Sequence, residues 1–387
     1  MNRWFDRHNF HHGNSIKLLQ SGNEFFDELY ELIKSAQKFI HIQLYIFEHD
    51  ETGQHCIKLL KEAAGRGVKI FIVVDAYGSQ NLHQSVISEL EGSGIYFKKF
   101  SPFHRSIRLR IGRRLHHKIV LMDGKTALIG GINISRRYHG DLKHQPWLDF
   151  AARVDGPVCR DGLKVCESMW RRKMKHFFFR EYHHELKIEK NRTGVPVRIL
   201  QNDWKQRNIE ISRFYRQSIK RSKTSLFIVA SYFLPGNRMR YLLRKASQRG
   251  VKIHLLLSNE SDVGLMKFAT GFLYPFLIRN NIEIFEWKRS VMHGKLMIVD
   301  ESLTTIGSYN MNTLSDYGSI ELNLLADDVN FSKEVLKKLQ ALTEEGCEKI
   351  IASNYTRHHY WWNQVINWMS YQLVRNALRV LNFFIRR

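Results

Sequence analysis

Two segments of this 387-residue sequence carry the same set of polar residues at the same spacing. The first contains His116, Lys118 and Asp123, and the second contains His293, Lys295 and Asp300. Each continues into a glycine and an asparagine at equal distances, which are Gly130 and Asn133 in the first and Gly307 and Asn310 in the second. One such motif is a weak signal, because chance produces it in roughly a few per cent of chains of this length. Its repetition with matching spacing indicates shared chemistry.

These residue types suit chemistry at a phosphodiester. Side chains two apart on a strand share a face, so each histidine points the same way as the lysine that follows it. One histidine would attack phosphorus and form a phosphohistidine, while the other protonates the leaving alcohol and then deprotonates the incoming hydroxyl. Lysines and asparagines would hold the non-bridging oxygens. We predict a catalytic set of His116, Lys118, Asp123, His293, Lys295 and Asp300, and a substrate-binding set of Asn133, Asn310, Ser135 and Ser308.

Other ligands and roles are less consistent with these residues. No carboxylate cluster suits a divalent cation, so we expect neither a metal nor a cofactor. A binding module without activity would keep the fold and lose one or more of the six catalytic residues, and none is lost here.

An internal repeat organises the elements that must position the motifs. An apolar strand, a helix-like run and a second apolar strand precede each motif, and both helices close on Arg-Gly-Val-Lys-Ile, at 66–70 and 249–253. Strand, helix, strand at this length predicts parallel strands. We therefore predict an α/β fold of two pseudo-symmetric α/β/α halves that share one active site, each with a mixed, mainly parallel central sheet. The predicted divisions are 15–190, 195–350 and a C-terminal amphipathic tail at 351–387, with a linker at 187–196.

The charge balance indicates the kind of partner. Sixty Lys and Arg stand against 37 Asp and Glu, a formal net charge of +23. Nucleic acid, an anionic membrane or a phosphate-bearing substrate would each fit such a surplus. The four cysteines have no metal-binding spacing, and we find neither a secretory signal nor a run of 18 apolar residues. We therefore expect a cytoplasmic protein.

Several segments have the composition of lipid-facing surfaces. In the tail, apolar residues recur every three or four positions from Trp361 to Ile385, which fits either a helix at a membrane surface or a helix packed on protein. The segment 169–184 combines cations with three consecutive phenylalanines, and the loop 104–114 is rich in arginine. The apolar run 268–280 either lines an acyl-chain entrance or belongs to the core.

The paired motifs resemble those of the phospholipase D superfamily, over nearly the whole chain from about Ser15 to about Gly346. Within it, the sequence is most similar to bacterial cardiolipin synthases of the short type without N-terminal membrane helices. The segments that carry this similarity are YIFEHDETG at 45–53, WLDF at 147–150, VDGP at 154–157, ASYFLPG at 230–236 and ELN at 321–323.

The resemblance implies transfer of a phosphatidyl group from one phosphatidylglycerol to another, which yields cardiolipin and glycerol; phosphatidylethanolamine is an alternative donor. It implies that His116 and His293 are nucleophile and acid, and of the two we favour His116 as the nucleophile. It also implies that Asp149 and Glu321 orient a histidine across the pseudo-axis. The expected location is the inner face of the cell membrane, as a peripheral protein on an anionic surface.

Two other enzymatic functions remain open. A phospholipase D would use water as the acceptor, and sequence alone does not distinguish it, because acceptor choice depends on how the site excludes water. A nuclease would use the same motifs, and the positive charge suits a polyanion. We expect no nucleic acid partner, because aromatic residues interleaved in a basic groove, as a platform for stacked bases, are not evident.

Overall fold

The computed structural model describes residues 9–101, 113–170, 193–352 and 361–386. The first half contains strands β1 (His11–Gln20), β2 (Phe39–Leu44), β3 (Lys69–Asp75), β4 (Tyr96–Phe100), β5 (Arg114–Leu115), β6 (Lys118–Met122), β7 (Thr126–Gly130) and β8 (Phe150–Asp155). Its helices are α1 (Asn23–Ser35), α2 (Glu51–Gly65), α3 (Gln84–Gly92), α4 (Arg136–His139) and α5 (Cys159–Ser168).

The second half repeats this order of elements. Its strands are β9 (Val195–Asp203), β10 (Asn208–Ile209), β11 (Ser225–Ala230), β12 (Lys252–Ser258), β13 (Ile282–Trp287), β14 (Lys295–Val299), β15 (Leu303–Gly307), β16 (Ser319–Asp327) and β17 (Cys347–Ile350). Its helices are α6 (Glu210–Arg221), α7 (Asn237–Gln248), α8 (Gly264–Gly271), α9 (Tyr274–Arg279), α10 (Thr313–Tyr317) and α11 (Val329–Gly346), and α12 (Trp361–Arg386) follows them.

Strand pairing shows the pseudo-symmetry directly. In the first half the neighbours run β1, β8, β7, β6, β2, β3, β4. In the second half they run β9, β16, β15, β14, β11, β12, β13, with β17 added at the edge. The two-half α/β architecture predicted from the repeat is therefore confirmed. The predicted linker at 187–196 lies largely outside the described residues, and the predicted domain boundaries stay a prediction.

Both sheets are mixed. The strands joined by helices, β2, β3 and β4 in one half and β11, β12 and β13 in the other, are parallel. The strands that carry the motifs and their neighbours pair antiparallel, because hairpins connect β6 to β7 and β14 to β15. More of the strand pairs are antiparallel than the predicted mainly parallel sheet implied. The reason is that the sequence repeat revealed only the strand–helix–strand units, whose strands are parallel.

Tight turns close these two hairpins. Asp123 and Gly124 both have positive φ, of 51° and 65°, and Asp300 and Glu301 have φ of 49° and 51°. Two residues with φ above zero match the right-handed twist of a two-residue hairpin. The turn orients β6 and β14 so that the His-Lys end of each strand lies at the opposite end of the sheet.

The apolar residues form three cores, of which one joins the two halves. One lies beneath α1 to α3 in the first half, and a second lies beneath α6 to α9 in the second half. The third lies between the halves and draws residues from both, including Phe150 and Leu322. Through this shared core the two sheets pack against each other near the ends of β6 and β14.

The C-terminal helix α12 packs on the second half. Tyr371 and Val374 are buried, and the Tyr371 ring stacks on Phe272 with centroids 4.6 Å apart. Part of the apolar face of the tail helix, for which contact with a membrane was one of the two predictions, thus packs on the protein itself. The other side of the helix is also apolar and is exposed, at Val365, Ile366, Trp368, Met369 and Leu373. Among the described helices, none is both long and apolar enough to cross a membrane.

The other segments with lipid-facing composition have different outcomes. The run 268–280 forms parts of α8 and α9, where Ala269, Leu273 and Leu277 are buried and Phe268 is exposed. Most of it is therefore core. The phenylalanine-rich segment 169–184 and the arginine-rich loop 104–114 lie almost entirely outside the described residues.

Candidate active site

The structure brings the two His-Lys pairs to one place between the halves. Lys118 and Lys295 are the first residues of β6 and β14, and both side chains are almost fully buried. His116 and His293 lie just before those strands. The charges of Lys118 and Lys295 act on one another and on both histidines across the interface. One site built from two half-sites is what the repeat predicted.

His116 is held by a carboxylate from the second half. Its Nδ1 lies 2.9 Å from Oε2 of Glu321, which belongs to β16 and is fully buried. The hydroxyls of Ser308 and Ser315 donate to the same carboxylate, at 2.5 and 2.8 Å. A carboxylate that accepts from Nδ1 fixes the tautomer that leaves Nε2 unprotonated. His116 therefore presents Nε2 as its reactive nitrogen.

His293 is held by a carboxylate from the first half. Its Nδ1 lies 2.7 Å from Oδ2 of Asp149, which immediately precedes β8 and is fully buried. Gly131 makes room for this carboxylate, because a Cβ at that position would overlap it. The hydroxyl of Tyr138 approaches Nδ1 at 3.3 Å. The expected orienting role of Asp149 and Glu321 is thus matched by their positions.

Backbone bonds across the interface fix both histidines. The His116 N–H donates to the Ile320 carbonyl at 3.0 Å, and the His293 N–H donates to the Leu148 carbonyl at 2.7 Å. Strand β5 pairs with β16 just ahead of His116, and an isolated bridge joins Leu148 to Met292 ahead of His293. Each catalytic candidate is therefore attached to the half that supplies its carboxylate.

The two lysines share a buried, positively charged site. Burial, with the charge of Lys295, lowers the pKa of Lys118 to about 7. Burial likewise lowers the pKa of Lys295 to about 8, although Asp149 opposes this shift. Their Nζ atoms donate to the backbone carbonyls of His116 and His293, respectively. Two desolvated cations side by side form a site that favours a phosphate.

The same surroundings keep the imidazoles neutral. Burial lowers the pKa of His116, although Glu321 raises it in part. Burial and the two lysines lower the pKa of His293 well below its usual value. Burial also raises the pKa of Asp149 to about 6. A neutral imidazole has the lone pair that attack on phosphorus needs, and a bound anion would favour protonation of the other.

The four predicted substrate-binding residues are engaged in hydrogen bonds to other protein groups. Asn133 accepts from the Ile46 N–H at 2.9 Å and donates to the Tyr138 hydroxyl at 2.9 Å. Asn310 accepts from Ser231 at 2.8 Å. Ser135 caps α4, and Ser308 donates to Glu321. Of these four, only Ser308 contacts a carboxylate that holds a histidine, and direct contact of the others with substrate stays a prediction.

The structure does not bring Asp123 and Asp300 to the site. Asp123 follows the far end of β6, about 16 Å from Lys118 at the usual rise per residue. Its carboxylate accepts from the backbone N–H groups of 37, 38 and 39, at 2.8 to 2.9 Å. Asp300 accepts in the same way from 223, 224 and 225. We therefore expect a structural role for both, in place of the predicted catalytic one.

Aromatic residues and one further carboxylate complete the site. The Tyr45 ring lies 5.1 Å from His116, and the Tyr232 ring lies 6.0 Å from His293. Tyr232 donates its hydroxyl to Asp262, whose charge reaches His293 and Lys295. Each tyrosine follows the equivalent strand of its half, β2 or β11, and the motif spacing did not assign either one to the site. Asp262 has no counterpart in the repeat, and no sequence signal identified it.

This arrangement can bind a phosphodiester and divide its chemistry between two imidazoles. Each imidazole has a carboxylate on Nδ1, and the lysines neutralise the phosphate. Within the described ranges, no three His, Cys, Asp or Glu side chains converge as a metal site would require.

Comparisons with known proteins agree with this geometry. The family model described as "Cardiolipin synthase, PLD-like domain" matches residues 29–144 and 215–343, which contain both motifs. A cardiolipin synthase B of Salmonella typhi is 30% identical over 376 residues, which cover 94% of this chain and 88% of the relative. A probable cardiolipin synthase of Bacillus subtilis is 26% identical over 341 residues, covering 87% of this chain and 66% of that relative.

A solved structure shares the fold. The phosphatidylserine synthase of Haemophilus influenzae superposes with a TM-score of 0.76 at 15% identity, and the match covers 97% of both chains. The paired motifs, the family match over both halves and the relatives aligned along nearly the full chain lead to one conclusion. This chain belongs to the cardiolipin synthase family with a phospholipase-D-like domain.

Proposed function

We propose that this chain is a phosphatidyltransferase that makes cardiolipin from two phosphatidylglycerol molecules and releases glycerol. The observation that carries the proposal is the pair of histidines, each held through Nδ1 by a carboxylate of the opposite half. Family membership supports the choice of lipid, since the relatives are named cardiolipin synthases. Phosphatidylethanolamine is the alternative donor.

The proposed reaction has two steps. Nε2 of His116 attacks the phosphorus of the first lipid, the P–O bond to the glycerol headgroup breaks, and His293 gives its proton to the departing glycerol oxygen. The headgroup hydroxyl of the second lipid then loses its proton to His293 and attacks the phosphohistidine, which restores His116. Lys118 and Lys295 neutralise the non-bridging oxygens in both steps. Glu321 and Asp149 hold the rings in place and stabilise each imidazolium as it forms.

Contact with a membrane is part of the proposal. The exposed apolar side of α12 includes Met369 and Leu373, which are 58% and 61% exposed. An apolar row of this kind on an amphipathic helix suits insertion at a lipid surface. We place the protein on the inner face of the cell membrane, where its positive charge meets anionic headgroups.

The first test is lipid mass spectrometry after purified protein is mixed with phosphatidylglycerol vesicles in the presence of a chelator. We expect cardiolipin and free glycerol, and neither with His116→Ala. Phosphatidic acid as the only product would identify a phospholipase that uses water. No change in any lipid, with phosphatidylethanolamine also supplied, would contradict the proposal and favour nuclease activity.

A trapping experiment tests the roles of the histidines. In His293→Ala the phosphohistidine forms slowly but lacks the base that activates the acceptor. Intact-protein mass spectrometry should therefore show a phosphatidyl adduct, which peptide mapping assigns to His116. An adduct on His293 in the His116→Ala protein would reverse the assignment.

A further inference from the structure

An open, cationic groove lies between α6 and α7 on the second half. Its cavity is about 250 Å³ and is lined by Arg213, Arg216, Gln217, Lys220, Arg238 and Leu242. Within the described ranges, none of its four cations lies within 4 Å of a carboxylate oxygen, although the charge of Arg216 acts on the buried carboxylate of Asp316. Four clustered cations raise the positive potential of the groove, which favours a bound anion.

The first half shows that the fold does not require these charges. Asp123 accepts hydrogen bonds from the backbone at 37–39, and Asp300 accepts equivalent bonds from the backbone at 223–225. These two backbone segments follow α1 and α6 and are 186 positions apart. Each α1 residue therefore corresponds to the α6 residue 186 positions later. Arg66 and Arg249 donate to the carbonyls of Ile33 and Ile219, which are also 186 positions apart. The two arginines themselves are 183 positions apart, so α2 residues correspond to α7 residues 183 positions later. The α1 counterpart of the groove carries Asp27 and Glu31, where α6 has Arg213 and Gln217.

The two helix pairs also differ in shape. In the first half, Tyr30 and His55 take the places of Arg216 and Arg238, and their rings meet at 4.6 Å. The first half therefore has an aromatic contact at the position where the second half has two arginines that line a cavity. Overall α1 carries four acidic residues and one basic residue, while α6 carries one acidic residue and four basic residues. The two halves therefore share the same helices, but the helix that lines the groove is acidic in the first half and basic in the second.

One lining atom adds to the chemical description. The side-chain oxygen of Gln217 is buried and has no hydrogen-bond partner among the described residues. Arginine suits phosphate, and an unpartnered carbonyl oxygen suits a hydroxyl donor. A phosphate next to a hydroxyl is what a phosphatidylglycerol headgroup offers.

The position of the groove fits a membrane-bound occupant. Helix α7 separates the groove from α12, and the Arg240 guanidinium lies over the Tyr371 ring at 5.8 Å. Helix α12 is therefore a neighbour of the helix that supplies Arg238, and it contacts that helix through its buried side. Cations on one helix and exposed apolar side chains on the neighbouring helix together suit an anionic lipid surface, where headgroups lie above acyl chains.

We propose that the α6–α7 groove binds the phosphate of an anionic phospholipid headgroup, separately from the active site, and so holds the second half on the membrane. This rests on the proposed function only in its choice of a lipid surface. The occupant is not a substrate molecule in turnover, because the groove lies between outer helices whereas the active site lies between the two halves.

Vesicle co-sedimentation in a His116→Ala background tests the groove without catalysis. The groove variant is Arg213→Gln with Arg216→Gln and Arg238→Gln. A second variant takes the residues of the first half, Arg213→Asp, Arg216→Tyr and Arg238→His. The control removes three exposed lysines elsewhere, by Lys58→Gln, Lys333→Gln and Lys337→Gln. Circular dichroism and the unfolding midpoint verify that each variant is folded.

We expect both groove variants to bind phosphatidylglycerol vesicles about 100-fold more weakly, and the control to lose less than about fivefold. None of the proteins should bind neutral phosphatidylcholine vesicles strongly. Competition by inorganic phosphate at constant ionic strength would identify a site for free phosphate instead of a headgroup. Equal losses in the groove and control variants would overturn the inference.

Binding to duplex DNA at the same ionic strength is the remaining comparison. If the groove variants lose DNA affinity as strongly as vesicle affinity, the groove is a general polyanion site and the lipid assignment is wrong. Failure of the proposed function is distinguishable from these outcomes. In that case wild-type protein would make no cardiolipin while its vesicle binding would still depend on the groove.

Discussion

Glu321, in the second half of the chain, lies 2.9 Å from Nδ1 of His116, in the first half. Asp149 and His293 form the reciprocal pair at 2.7 Å. The two carboxylates have different surroundings, since serine hydroxyls support Glu321 whereas Asp149 fits against Gly131. Because of this difference, a substitution can disturb one histidine–carboxylate pair and leave the other intact.

Gly131→Ala should impair the Asp149–His293 pair. The added Cβ would overlap the Asp149 carboxylate, which must then shift and release His293. A misplacement of about 1 Å costs about 100-fold in rate, so we expect a loss of that size in kcat. Ser308→Ala is the matched change on the other side, where loss of one hydrogen bond to Glu321 should cost about tenfold. Steady-state kinetics test both, and an unaffected Gly131→Ala enzyme would contradict the assigned role of Asp149.

Lys118→Met should abolish turnover while stabilising the protein. The folded state lowers the pKa of Lys118 from 10.5 to about 7, so below pH 7 the buried charge opposes folding fully. As pH rises from 7 towards 10, the folded state loses the proton first and this opposition fades. Methionine removes it, with an expected gain of about 1 to 2 kcal/mol.

Thermal unfolding of Lys118→Met and wild type at pH 6.5 and pH 9 tests the sign. The stability gain should be larger at the lower pH. A gain that grows with pH, or a clear loss of stability at pH 6.5, would show that Lys118 stabilises the folded state.

Binding of phosphate analogues should weaken as pH rises through 7 to 8. Burial lowers the pKa values of Lys118 and Lys295 to about 7 and about 8. A bound anion favours the charged lysines, so binding above these pKa values requires proton uptake. Calorimetry with vanadate in two buffers of different ionisation enthalpy measures this uptake directly. Affinity independent of pH between 6 and 9 would exclude coupling to the lysines.

Asp123→Ala should lower stability and spare catalysis. The carboxylate accepts from three backbone N–H groups that lead into β2, and alanine leaves them to solvent. We expect a loss of about 1 to 3 kcal/mol in the free energy of unfolding, with kcat within about threefold of wild type. Denaturant unfolding and assays well below the transition measure the two effects. A folded Asp123→Ala protein without activity would restore the catalytic role predicted from sequence.

Asp262→Asn should shift the acceptor from alcohol towards water. Asp262 accepts a hydrogen bond from the Tyr232 hydroxyl beside His293. At this position its carboxylate can also accept a hydrogen bond from the hydroxyl of the second lipid. We expect the ratio of cardiolipin to phosphatidic acid to fall about tenfold, with total cleavage of the donor little changed. Glu260→Gln, an exposed carboxylate two residues away, is the control. An unchanged product ratio would exclude Asp262 from acceptor selection.

The sequence predicted the parts of this molecule that repeat. His116, Lys118 and their counterparts were identifiable because two copies preserve one spacing, and the strand–helix–strand order followed from apolar patterns. Asp123 was placed in the catalytic set because it belongs to the repeated motif, and repetition alone does not distinguish a residue that reacts from one that holds a hairpin in place. Asp262 and the α6–α7 groove were not predicted, because each exists in one half only. The packing of α12 was also undetermined, since two of its faces are apolar and periodicity does not show which one is buried.

The reciprocal arrangement of histidines and carboxylates has a mechanical consequence. Each half contributes one imidazole and the carboxylate that orients the other, so a small separation of the halves would disturb both pairs together. Nucleophile and acid would then lose their alignment in the same movement, and no half-open state would retain one function alone. The shared core that includes Phe150 and Leu322 therefore holds both histidine–carboxylate pairs in alignment. Looser packing of this core would lower the reactivity of His116 and His293 together.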